Sequence, residues 1–136
     1  MIPLLDTHQH LIHRDRMGYG WTSGFPALAR GSFTLDDYAR LTEGAGVAGS
    51  LFMETAVDES HYRDETVMMS GLAMDPATRP LGPTASIRPA SDEGFADWLE
   101  EAAALGPVGV RRGLHVVEHP LPHLPPVRRT VRTTGP

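Results

Sequence analysis

The stretch LLDTHQHLI, residues 4–12, decides how this chain is read. An apolar run at residues 2–5 leads directly into a carboxylate, Asp6, and two histidines, His8 and His10. Residues two apart on a strand face the same side, so both imidazoles can reach one cation while Gln9 faces away. Zinc takes neutral imidazole nitrogens, and a catalytic zinc keeps one position open for water. On a regular strand Asp6 shares the face of His8 and is placed to orient a histidine from behind. The same spacing also fits two surface histidines in a loop. The remainder of the chain has to separate these readings.

Outward from that stretch, strand-like and helix-like segments alternate. Residues 2–5, with Pro3 at the tolerated start, read as a buried parallel strand. Residues 14–32 are a loop punctuated by Gly18, Gly20, Gly24, Pro26 and Gly31, with Tyr19, Trp21 and Phe25 between them. A long aromatic loop after a strand is more often functional than idle. Thr34 opens a helix with Asp37 three residues on, a variant capping box, and Gly44 and Gly46 stop it after Leu35, Tyr38, Leu41 and Thr42. Residues 47–53, VAGSLFM, read as a second strand ending at Glu54, and 58–74 as a second helix. Residues 82–89 are a weaker third strand. Ser91 is the expected cap of a third helix, where Phe95, Trp98, Leu99, Ala102 and Leu105 form one apolar face. Residues 108–114, VGVRRGL, are a fourth strand. Alternation of this kind means a parallel sheet with right-handed crossovers. Four strands are too few for a doubly wound sheet and half of a closed eight-stranded barrel.

Composition narrows the function. The 136 residues carry a formal charge of −5, which argues against nucleic acid as a partner. Cys is absent, so there is no disulfide, thiolate zinc site or thiol nucleophile. Lys is absent as well, which removes Schiff-base chemistry and a carboxylated-lysine metal bridge. No apolar run reaches the roughly 20 residues of a membrane span, and no signal peptide is visible, so a cytoplasmic protein is expected. From His119 onward there is no acidic residue, and five of the 12 prolines fall there. We read residues 1–118 as one unit and 119–136 as an irregular Pro/Arg-rich tail, which fits a linker, a peptide ligand or, as a further hypothesis, a stretch translated out of frame from a GC-rich gene.

DTHQH at the first strand, FMET at the second and GVRRGLHV at the fourth occur in the order found in one known family. Over residues 2–118 the chain resembles the amidohydrolase superfamily, in its amidohydrolase-2-like branch of TIM-barrel metal-dependent hydrolases that includes sugar lactonases and pyrone-dicarboxylate lactonase. The resemblance implies a partial (β/α)8 TIM barrel, truncated after about four strands and three helices. It implies His8 and His10 as metal ligands, or as polar substrate contacts in members that work without metal. Zinc is the first candidate among divalent metals. Water attack on a lactone, ester or amide carbonyl of a small molecule is the implied ancestral activity.

Glu54, Arg111 and His115 are the implied substrate-side residues. Glu54 is alternatively a loop carboxylate. Alternation lets only one of Arg111 and Arg112 point inward, toward a substrate carboxylate or lactone oxygen, and a structural ion pair is the other reading. Ser86 and Arg88 are further candidates at the third strand. His13 is placed in the loop, His61 on the solvated face of the second helix, Trp98 in the core, and His119 and His123 receive no role. Relatives complete the site with a histidine after strand five or six and an aspartate at strand eight, and this sequence has neither strand. A weakly active or inactive fragment is therefore expected, with self-association through open sheet edges. The competing class is a non-enzymatic remnant or small metal-binding module; a flavodoxin-like sheet is disfavoured by the long first connection.

Overall fold

The computed structural model describes residues 2–75, 80–89 and 93–113. Four strands, β1 (Leu4–Gln9), β2 (Val47–Phe52), β3 (Pro80–Ser86) and β4 (Gly109–Arg111), form one sheet in the order β1-β2-β3-β4. Every pairing is parallel. Three helices, α1 (Leu35–Leu41), α2 (Tyr62–Met74) and α3 (Phe95–Ala104), lie between successive strands. A strand order that never reverses is one arc of a (β/α)8 barrel. A doubly wound sheet would show a switch point, which excludes the flavodoxin-like alternative.

Local chemistry accounts for the elements. Thr34 and Asp37 form the complete capping box at α1. The Thr34 N–H donates to Asp37 Oδ2 at 2.8 Å and the Asp37 N–H donates to Thr34 Oγ1 at 3.4 Å. The Thr34 N–H first, and then the Thr34 hydroxyl, which also donates to Asp37 Oδ2 at 2.8 Å, hold the Asp37 carboxyl below its usual value. Gly44 and Gly46, at φ 76° and 77°, carry the chain from α1 to β2 through left-handed conformations that favour glycine. Along α3, Phe95, Trp98 and Ala102 are buried and Leu99 and Leu105 pack against them, the face read from the sequence. The Trp98 Nε1–H donates to the Ser86 carbonyl at 2.9 Å, so this large core residue also satisfies its polar atom.

Four expectations change. The β1 leucines are not buried: Leu4 is 52% and Leu5 58% exposed. They lie on an edge strand of an open arc, with no opposite barrel wall among the described residues. Leu41 is 75% exposed, because six residues from Leu35 at 3.6 per turn is about 120° around the helix. The α2 cylinder begins at Tyr62 rather than residue 58, after a 3-10 turn at Glu59–His61. Gly94 occupies the N-cap of α3; Ser91 lies outside the described residues, as do residues 114–136 with His115, His119, His123 and the expected boundary at 118.

Candidate functional site

The site grows from an irregularity in β1. Asp6 pairs with Ser50 and Gln9 with Phe52, so three steps along β1 match two along β2. One extra residue in a strand is a bulge, which re-aims the side chains around it. Asp6 supplies a local reason. Its Oδ1 accepts the His8 backbone N–H at 3.0 Å, and its Oδ2 accepts the Tyr38 hydroxyl at 2.8 Å. Burial and this carboxylate raise the Tyr38 hydroxyl to about 12. Asp6 therefore ties β1 to α1 and does not orient an imidazole, contrary to the regular-strand expectation.

Beyond the bulge the alternation resumes. Gln9 is buried while His8 and His10 face out together. Their Nε2 atoms are 3.1 Å apart. His10 Nδ1 lies 3.2 Å from the Met53 carbonyl oxygen, which can only accept. That contact assigns the proton of His10 to Nδ1 and leaves a lone pair on Nε2. Burial first, then His8 and Arg111, push His10 below its ordinary value, partly offset by Met53 and Glu54. A neutral imidazole anchored through its far nitrogen to a backbone carbonyl is the arrangement metal-bound histidines adopt.

Two nitrogens on one tetrahedral zinc, each at about 2.0–2.1 Å, would stand roughly 3.3 Å apart. The observed separation fits two ligands of one ion. Among the described residues no group of three or more His, Cys, Asp or Glu converges on a common point.

Glu54 and Arg111 stand beside His10. Glu54 is buried two residues past β2, and its Oε2 accepts the Ala56 N–H at 2.9 Å. Arg111 Nη1 donates to the Glu54 carbonyl at 3.2 Å and lies 3.7 Å from Glu54 Oε1. Of the two neighbouring arginines, Arg111 faces this side and Arg112 turns to Glu59. His10, Glu54, Arg111, Trp21, Arg30 and Phe33 line a cleft of about 600 Å³, within the range of small-molecule sites.

The cleft's outer wall is the loop after β1. Ile12 and Phe33 exchange two backbone hydrogen bonds of 2.8 Å and close its base. Arg14 holds its interior through the Thr22 hydroxyl and the Gly31 and Leu28 carbonyls. Trp21 Nε1–H donates to the Thr55 carbonyl at 2.9 Å, and the Gly20 N–H donates to Asp58 at 2.8 Å. His61 is not on a solvated helix face. It precedes α2, half-buried, and its Nδ1 accepts the Gly18 N–H at 3.3 Å.

Sequence reasoning did not single out Arg30, Glu59 or Glu65. Glu65 is 1% exposed beneath the site, and its Oε1 accepts the Thr55 N–H at 2.8 Å. Burial raises its carboxyl to about 7, with Glu54 adding to the effect. It reads as an ordinary polar position of α2, and only the three-dimensional packing reveals it. Ser86 and Arg88 are both buried, with Arg88 Nη1 donating to Ser86 Oγ at 2.7 Å.

No protein-family model and no curated protein matches this chain. Among solved structures, it is similar to the crystal structure of a probable 2-pyrone-4,6-dicarboxylic acid hydrolase from Acinetobacter baumannii with citric acid bound, with a TM-score of 0.65 and 14% sequence identity. The match covers 98% of this chain and 46% of that one, so the chain spans about half the length of its structural neighbour. At this identity the likeness establishes the fold, half of a barrel. No helix among the described residues is long and apolar enough to cross a membrane.

Proposed function

We propose that this chain is the N-terminal half of an amidohydrolase-like barrel whose ancestral reaction is hydrolysis of a lactone, ester or amide in a small molecule. The observation that carries the reading is the convergence of His8 Nε2 and His10 Nε2 to 3.1 Å at the C-terminal end of β1. Barrel enzymes place their chemistry at that end of their strands. The fold likeness to a hydrolase barrel supports it.

His8 and His10 would hold the divalent metal, zinc first, and a bound metal polarises water or a carbonyl oxygen. The chain's own residues position and recognise. The Met53 carbonyl fixes the tautomer of His10. Glu54 keeps Arg111 at the cleft, where a guanidinium suits a carboxylate or a carbonyl oxygen. Trp21, Ile12, Leu28 and Phe33 give the cleft apolar walls that exclude water from a small substrate. In a metal-free member the same imidazoles serve as polar substrate contacts.

A second reading is a non-enzymatic remnant or small metal-binding module. The two-donor site favours it, since among the described residues no carboxylate joins the two imidazoles in a group that could hold a metal ion.

Competition for zinc against a chromogenic chelator tests the metal assignment. The chain should withdraw zinc, and a His8→Ala, His10→Ala double variant should not. Equal withdrawal by both removes the basis of the reading. Metal-dependent cleavage of simple lactones then separates hydrolase from binding module.

A further inference from the structure

On the same rim, but away from the histidine pair, one carboxylate oxygen meets two guanidinium groups. Glu59 Oε2 lies 2.8 Å from Arg88 Nε and 3.6 Å from Arg112 Nη1. Burial across this triad is lopsided. The Arg88 side chain is 2% exposed and that of Arg112 21%, whereas that of Glu59 is 60% exposed. The cations belong to the fold, and the anion reaches them from solvent.

Arg88 is held independently of Glu59. Its Nη1 donates to Ser86 Oγ and, at 3.1 Å, to the Ile87 carbonyl. Its guanidinium carbon stands 4.7 Å from the centre of the Tyr62 ring. These contacts orient the fork and remove no charge. Nearby, Glu54 is already engaged by Arg111, and burial raises the Glu65 carboxyl to about 7. Among the described residues, three guanidinium groups, those of Arg88, Arg111 and Arg112, therefore share two carboxylates, Glu54 and Glu59, at ion-pair distance. The Arg112 guanidinium records the crowding: burial first and Arg88 second lower its proton affinity.

We propose that Arg88 and Arg112 form a binding site for a small oxyanion, a phosphoryl or carboxylate group, in which the Glu59 side chain is a displaceable stand-in. Planar guanidinium forks accept two oxygens of such a group at once. Glu59 belongs to the 3-10 turn Glu59–His61, outside α2, so a change of side-chain rotamer is enough to vacate the position. The site is distinct from the cleft because Arg111 and Arg112 turn to different carboxylates. It stands whether or not His8 and His10 bind metal.

Calorimetric titration of the full chain with inorganic phosphate and, separately, with propionate tests this. Removing the competing charge in Glu59→Gln should tighten binding of at least one probe tenfold or more. Adding Arg112→Gln to that variant should abolish the gain, while Arg40→Gln, on the distant α1 surface, should not. The tighter probe identifies the source of the oxyanion as phosphoryl or carboxylate. The proposal is overturned if Glu59→Gln binds both probes no better than the unaltered chain, or if the gain survives Arg112→Gln. Arg112 is chosen over buried Arg88 so that the variant folds, and a cooperative thermal transition checks that it has.

Discussion

His10 Nδ1 and the Met53 carbonyl oxygen, 3.2 Å apart, join the end of β1 to the end of β2 and fix which nitrogen of the imidazole is left bare. The ring's proton affinity follows from its surroundings, with burial, His8 and Arg111 all lowering it. His10 should therefore titrate below 6.5, measured by the shift of its ring Cε1–H resonance with pH. Arg111→Gln should move that midpoint upward. The stability consequence has a definite sign. A histidine whose folded value is depressed stabilises fully above its unfolded value and loses that contribution as pH falls through the folded one. A midpoint at or above 6.5, unmoved by Arg111→Gln, contradicts the electrostatics described.

Glu65 should show the opposite dependence. Its folded value is raised from 4.5 to about 7, so its contribution is complete below 4.5 and is lost as pH rises through 7. At 1.36 kcal/mol per unit, the ionised group costs on the order of 3 kcal/mol above pH 8. Glu65→Gln keeps an acceptor for the Thr55 N–H and removes the titration. Urea unfolding should find the variant more stable than the parent at pH 8.5, by up to about that amount, and nearly equal at pH 4. Parallel stability curves across that range would count against a carboxyl raised by burial.

Gly18 matters to the loop that walls the cleft. A Cβ added there would overlap the Asp58 carboxylate, the group that accepts the Gly20 N–H. Gly18→Ala must displace Asp58 or shift the loop, at a cost on the order of 1–3 kcal/mol. Trp21, whose Nε1–H reaches the Thr55 carbonyl, reports the change. Its fluorescence should shift to longer wavelength and become more easily quenched by iodide in Gly18→Ala. Gly24→Ala, where a Cβ meets nothing within 4 Å, should leave the emission unchanged.

The architecture was legible where periodicity was strong. The α3 face from Phe95 to Ala102 and the Thr34–Asp37 cap needed no tertiary information, because side-chain spacing and backbone donors decide them locally. The pairing of His8 with His10 was legible for the same reason. What failed was regularity. The extra residue between Asp6 and Gln9 turned Asp6 from the imidazole face to Tyr38, and an alternating pattern carries no mark of a bulge. Leu4 and Leu5 read as buried because apolar strands usually are, yet their cover would come from barrel walls the described chain lacks. Glu65 and Glu59 escaped notice because a polar residue near the start of a helix is ordinary. Their roles arise only when Thr55, Arg88 and Arg112 come to them from the segments that follow β2, β3 and β4.

The edge of β1 carries the last prediction. Among the described residues β1 pairs only with β2, and β4 only with β3, so each presents an open backbone edge. Ile2, Leu4 and Leu5 on one edge and Val108 beside the other are all more than half exposed. An apolar strand with unsatisfied donors and acceptors is a template for another chain. The isolated chain should therefore self-associate in a concentration-dependent way, visible in sedimentation velocity as species heavier than the 14.8 kDa monomer. A charged side chain on the edge opposes that pairing because its ammonium group would lose water in the contact. Leu4→Lys with Leu5→Lys should shift the distribution toward monomer while leaving the far-ultraviolet circular dichroism intact, since both leucines already lie in solvent. Leu41→Lys, at a still more exposed leucine but on α1, controls for a general gain in solubility. If the parent chain sediments as a single monomeric species at high concentration, or if Leu41→Lys acts as strongly as the edge variant, the open strand is not what brings the copies together.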